Sequence, residues 1–130
     1  MTILAVDTHP GRLRELAGCL REAFPKAEVA AFCVPALAVQ HSFRSEVSLV
    51  FARSEMKRLG GVQVAQAVQF YHPRAKAFLM TDEKTPKRVF RHRALSGFLS
   101  GPPTAAAIRA AVAAADGAAQ NGDTNGKMEG

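Results

Sequence analysis

Cysteine is scarce in this 130-residue chain: Cys19 and Cys33 are the whole complement, and neither lies in a C-x-x-C or similar metal-ligand spacing. The pattern supports neither a zinc site nor a disulfide framework, and the expectation is two buried, reduced thiols. No apolar run approaches the roughly 18–20 residues of a membrane-spanning helix, so no membrane partner is expected. The opening, Met1-Thr2-Ile3-Leu4-Ala5-Val6-Asp7, lacks both a basic leader and a small-residue cleavage site. It reads as a strand rather than as a signal peptide, and a cytoplasmic location is expected. His9, His41, His72 and His92 are scattered at no ligand spacing and read as surface or loop residues. Acid is the minority charge, 11 Asp and Glu against 17 Lys and Arg, for a net charge of +6 and a pI near 9.9. That imbalance attracts nucleic acid, anionic membrane or acidic protein faces, but it does not bear on the fold.

What is present is an ordinary globular balance, 48% hydrophobic and 22% charged, enough for one core. Ile3–Val6 is a short apolar strand closed by the turn-like Asp7-Thr8-His9-Pro10-Gly11. From Arg12 the period becomes helical, with Leu13, Leu16, Ala17, Leu20 and Phe24 on one face, until Pro25 stops it. Glu28–Cys33 reads as a second strand and Pro35 to about Phe43 as a weak helix. Val47–Ala52 is almost continuously apolar, the mark of a buried strand. A charged loop from Arg53 to Gly61 leads to a helix from Val62 to about Tyr71. Lys76–Met80 is the fourth strand. A helix from Pro86 to about Leu95, capped by Thr85, precedes a fifth strand at Gly97–Ser100. Thr104 caps an alanine-rich helix reaching about Ala115, and residues 116–130 have so little to bury that a disordered tail is expected. The domain is therefore placed at 1–115.

Strands and helices alternate throughout, so the expected fold is α/β: a flavodoxin-like (βα)5 three-layer sandwich on a parallel five-stranded sheet. The usual strand order, 2-1-3-4-5, puts any site at the carboxyl ends of strands 1 and 3, where Asp7 and Arg53 emerge.

Four stretches in order then carry a family resemblance. They are Ile3-Leu4-Ala5-Val6-Asp7-Thr8-His9-Pro10; Leu49 through Met56 with Gly60-Gly61-Val62; Phe78-Leu79-Met80-Thr81; and Gly97-Phe98-Leu99-Ser100-Gly101-Pro102. Together they resemble the receiver domain of response regulators, the CheY-like phosphorelay proteins of bacterial two-component signalling. That resemblance implies a Mg²⁺-dependent aspartyl phosphorylation pocket, here degenerate. Asp7 keeps one acidic position, Thr8 occupies the other, and Arg53 falls at the phosphoacceptor. Thr81 keeps the switch hydroxyl, Gly101 replaces the lysine, and Phe98 falls at the switch aromatic. A guanidinium stays protonated and is no nucleophile. The pocket is thus a remnant: no catalytic residue, no metal ligand set and no cofactor are expected, Mg²⁺ binding is expected to be lost, and Arg53 is expected to pair with Asp7.

The basic run Lys84, Lys87, Arg88, Arg91 and Arg93 is the expected interaction face. In the family the corresponding helix, the fifth strand and the last helix mediate dimers and outputs. The functional expectation is a stand-alone pseudo-receiver, not an enzyme. It would be a phosphorylation-independent protein-interaction module with an acidic protein partner or a homodimer across that face. The alternative is an auxiliary nucleic-acid-binding factor using the same basic helix.

Overall fold

A computed structural model describes residues 1–82 and 92–129, with side chains as far as residue 117. The elements run β1 Thr2–Val6, α1 Pro10–Ala23, β2 Glu28–Phe32, α2 Pro35–Ser42, β3 Val47–Arg53, α3 Gly61–Tyr71, β4 Lys76–Thr81, β5 Leu95–Ser100 and α4 Ala105–Glu129. All five strands are parallel, in the order β2-β1-β3-β4-β5. This is the flavodoxin-like sheet expected from the alternation of strands and helices.

The central strands are apolar along nearly all of their length, with Ser48 as the polar residue inside β3, because both faces are covered. Ile3, Ala5, Leu49, Phe51, Phe78 and Met80 pack with α1 and α4 on one side. Leu4, Val6, Val50, Ala52 and Ala77 pack with α2 and α3 on the other. The rings of Phe51 and Phe78, both wholly buried, stack at 4.9 Å in the first layer. Since side chains alternate along a strand, residues 3, 5 and 7, residues 49, 51 and 53, and residues 78, 80 and 82 share the α1/α4 side.

Helix starts follow local chemistry. The α1 helix begins at Pro10, earlier than Arg12, because Pro suits the first position and the His9 side chain accepts from the Arg12 backbone N–H at 3.1 Å. The Thr104 hydroxyl accepts from Ala107 N–H at 3.1 Å, as a cap should.

Three expectations change. Leu95 does not end a helix. It opens β5 and stands in register with Ala77, because an apolar residue beside that strand gains more from the sheet than from a helix end. The α4 helix continues through Glu129, where a disordered tail was expected from residue 116. Asp116 reaches Lys76 of β4 and ties the helix to the sheet just where the alanine-rich stretch gives way to polar residues. Cys33 is exposed rather than buried, because it lies past the end of the edge strand β2. Cys19 is half-buried with its Sγ 3.4 Å from the Pro103 carbonyl, and burial pushes its thiol pKa up. The expected helix at 86–95 otherwise falls, as far as residue 91, outside the described residues.

Candidate functional site

The carboxyl ends of β1, β3 and β4 meet the start of α1 and the β5–α4 loop in a cleft of about 110 Å³. Asp7, Arg12, Glu15, Arg53, Asp82 and Gly101 line it, with Leu16, Met80, Pro102 and Pro103 as apolar walls. Strand parity explains why Asp7, Arg53 and Asp82 converge there: all three fall on the α1/α4 side of the sheet. Val6 is level with Ala52 and Arg53 with Met80, so Arg53 has a carboxylate on either side of it.

The expected Arg53–Asp7 pair does not form. Asp7, only 4% exposed, is already engaged. Its Oδ2 accepts from Arg12 Nε at 2.9 Å and its Oδ1 from Arg12 Nη2 at 3.1 Å, a two-pronged contact matched to the planar guanidinium. Oδ1 also accepts from the His9 backbone N–H at 2.9 Å. The Asp7 hydrogen bond holds Arg12 above its ordinary pKa against the opposing effect of burial. Arg53 turns instead to β4, where its Nη2 lies 2.5 Å from Asp82 Oδ2. The two pairs differ in setting. The carboxylate of the first is sequestered, whereas the Asp82 side chain is 78% exposed, so solvent weakens the second.

The other residues expected at the pocket divide between locations. Thr8, on the opposite parity from Asp7, is exposed and lines a separate groove with Ser54, Lys57 and Gln63 beside the start of α3. Thr81 is buried at the end of β4, its carbonyl accepting from Gly101 N–H at 2.8 Å. Gly101 has φ +73°, a left-handed backbone that glycine adopts freely and a lysine does not. Gly61 is equally constrained. A Cβ there would lie 2.5 Å from both the Arg53 carbonyl oxygen and Leu79 Cδ2, so the start of α3 packs against β3 only with glycine. Phe98 is exposed on β5, level with Leu79. Arg93 is exposed in the turn before β5. Lys84, Lys87, Arg88 and Arg91 lie outside the described residues.

Sequence reasoning missed Arg12 and Asp82. Parity would have found Asp82, two residues beyond Met80 on the same face. Arg12 is harder, because its reach depends on how α1 leaves β1. Among the described residues, no group of three or more His, Cys, Asp and Glu side chains converges as a metal centre would need. No helix among them is long and apolar enough to cross a membrane.

No family model matches the chain, and no curated protein matches its sequence. Solved structures do match its shape. Chemotaxis response regulator CheY4 of Vibrio cholerae gives a TM-score of 0.75 at 17% identity, covering 88% of this chain and 97% of that one. A two-component response regulator from Clostridium difficile gives 0.74 at 16% identity, covering 88% and 94%. The fold is that of a CheY-like receiver. The response regulator TrrA of Thermotoga maritima, solved with Mg²⁺ and BeF, gives 0.66 at 23% identity, covering 77% and 85%. Identities this low speak to the receiver fold and not to what its pocket does.

Proposed function

We propose that the chain is a pseudo-receiver, a phosphorylation-independent protein-interaction module in bacterial signal transduction or transcriptional control, and not an enzyme. The observation that carries this reading is the pairing in the cleft. The carboxylate at the first acidic position is held by Arg12, and the group at the phosphoacceptor position is a cation held by Asp82.

The residues do not suit Mg²⁺. That ion prefers an octahedron of hard oxygens drawn from carboxylates and water. Both Asp7 oxygens already accept charged N–H groups, Thr8 faces another groove, and Arg53 presents positive charge. An aspartyl phosphate would also need a nucleophilic carboxylate at residue 53 and a cation opposite it, and Gly101 supplies none. With the pocket occupied by its own side chains, the surface is left to carry the function. Phe98 and Arg93 are its exposed described members near the expected face, and a homodimer across that face belongs to the same reading. The nucleic-acid alternative rests on the basic run at residues 84–91, outside the described residues.

Incubation with acetyl phosphate, or with beryllofluoride and Mg²⁺, followed by intact mass and NMR, tests the proposal. No adduct and no Mg²⁺-dependent shift are expected. A stable aspartyl adduct, or shifts centred on Asp7 and Thr81, would overturn it.

A further inference from the structure

At the pole opposite the cleft, where α2 and α3 end, three aromatic rings face solvent. Phe70 is 81% exposed, and Phe43 and Tyr71 are each 53% exposed. They form one cluster: Phe43 and Tyr71 lie 4.6 Å apart, and Phe70 and Tyr71 lie 5.2 Å apart. Rings of this size are normally withdrawn from water, so a contiguous exposed trio marks a contact surface. The two helix ends beneath are joined to each other. His72 Nε2 lies 2.6 Å from the Ser42 carbonyl oxygen, which ties the end of α3 to the end of α2. Ordered aromatic anchors lose little freedom on binding.

The charges around the trio indicate what it receives. Arg74 lines both grooves that flank Phe70 and Tyr71, Arg93 shares the first with Phe70, and Arg44 lies beside Phe43. None of these arginines makes an ion pair among the described residues, whereas the nearby Lys76 is already held by Asp116. Glu46 is the acid among the residues lining these grooves. Exposed aromatics rimmed by arginine match the composition of binding hot spots.

We infer that this pole docks an acidic protein segment carrying an apolar anchor side chain, which inserts among Phe43, Phe70 and Tyr71 while its carboxylates meet Arg44, Arg74 and Arg93. A second copy fits poorly, because a two-fold contact would set the arginines of one patch against those of the other. Nucleic acid fits poorly too, because the rings are tilted at 55° and 75° and offer no parallel shelf for bases. The inference is independent of the cleft and stands whether or not the cleft is phosphorylated.

Selection of a displayed library of random peptides, about 16 residues long to allow a helical turn pattern, on the full chain provides the test. Enriched sequences should be acidic with spaced apolar residues, and their binding should weaken with salt. Phe70→Ser and Arg74→Glu should each weaken it about tenfold or more, while Arg53→Ala leaves it unchanged. NMR shifts from an enriched peptide should centre on Phe43, Phe70 and Tyr71. No enrichment, non-acidic winners, or peptides that bind the variants as well as the parent would overturn the inference. Loss of single-stranded RNA binding on the same substitutions would reassign the surface to nucleic acid. Dissociation of a dimer by Phe70→Ser would reassign it to a second copy.

Discussion

The two poles of the sheet treat charge in opposite ways. At the carboxyl ends of the strands, Asp7 and Arg12 neutralise each other, as do Arg53 and Asp82, within a cleft of about 110 Å³. At the other pole, Arg44, Arg74 and Arg93 are exposed around three exposed rings and make no ion pair among the described residues. A polar site that satisfies itself has little free energy to offer a ligand, whereas unpaired charge beside apolar surface does. The contrast is between charge satisfied within the fold and charge left facing solvent.

Substitutions at the two poles should therefore register in different measurements. The largest effect is expected from Gly61→Ala, which drives a Cβ into the Arg53 carbonyl and Leu79 and should cost about 3 kcal/mol in urea unfolding. A loss near zero would mean that the start of α3 can slide away from the cleft. Asp7→Ala removes the acceptor of three N–H groups and should cost about 2 kcal/mol. Arg53→Ala breaks a pair whose carboxylate is already hydrated, so its cost should stay below about 1 kcal/mol and shrink further in high salt. If Arg53→Ala proved costlier than Asp7→Ala, the ranking of the two pairs by burial would fail. Phe70→Ser should shift stability by no more than about 0.5 kcal/mol while weakening peptide binding about tenfold or more. A large loss of stability there would make the ring a packing residue and erase the contrast.

The sheet was legible because buried parallel strands leave an unmistakable trace: Ile3–Val6 is apolar at every step and Val47–Ala52 at every step but Ser48, and each is followed by a helical period. Strand order followed from the same alternation. The convergence of Asp7 with Arg53 was also legible, since β1 and β3 are neighbours and the two residues share a parity. Their pairing was not. Arg53 stands between two carboxylates, and the choice depends on Arg12 having already taken one of them, a matter of helix placement rather than of pattern. The Leu95 boundary was misread because one apolar residue suits a helix end and a strand start equally well. The aromatic pole left a fainter trace. Phe70 and Tyr71 close a helix before His72-Pro73, but nothing in that stretch announces that Phe43 will come to lie beside them.

The left-handed backbone at Gly101 bears on which side chains that edge of the cleft can carry. Aspartate at residue 53 is a single side-chain exchange. A lysine at residue 101 is different in kind, because a side chain at φ +73° costs roughly 1–2 kcal/mol before it touches anything. The loop between β5 and α4 would have to be re-routed, along with its hydrogen bond to the Thr81 carbonyl. Placing a cation at this edge of the cleft thus takes a change of backbone course, whereas replacing Arg53 takes a change of side chain alone.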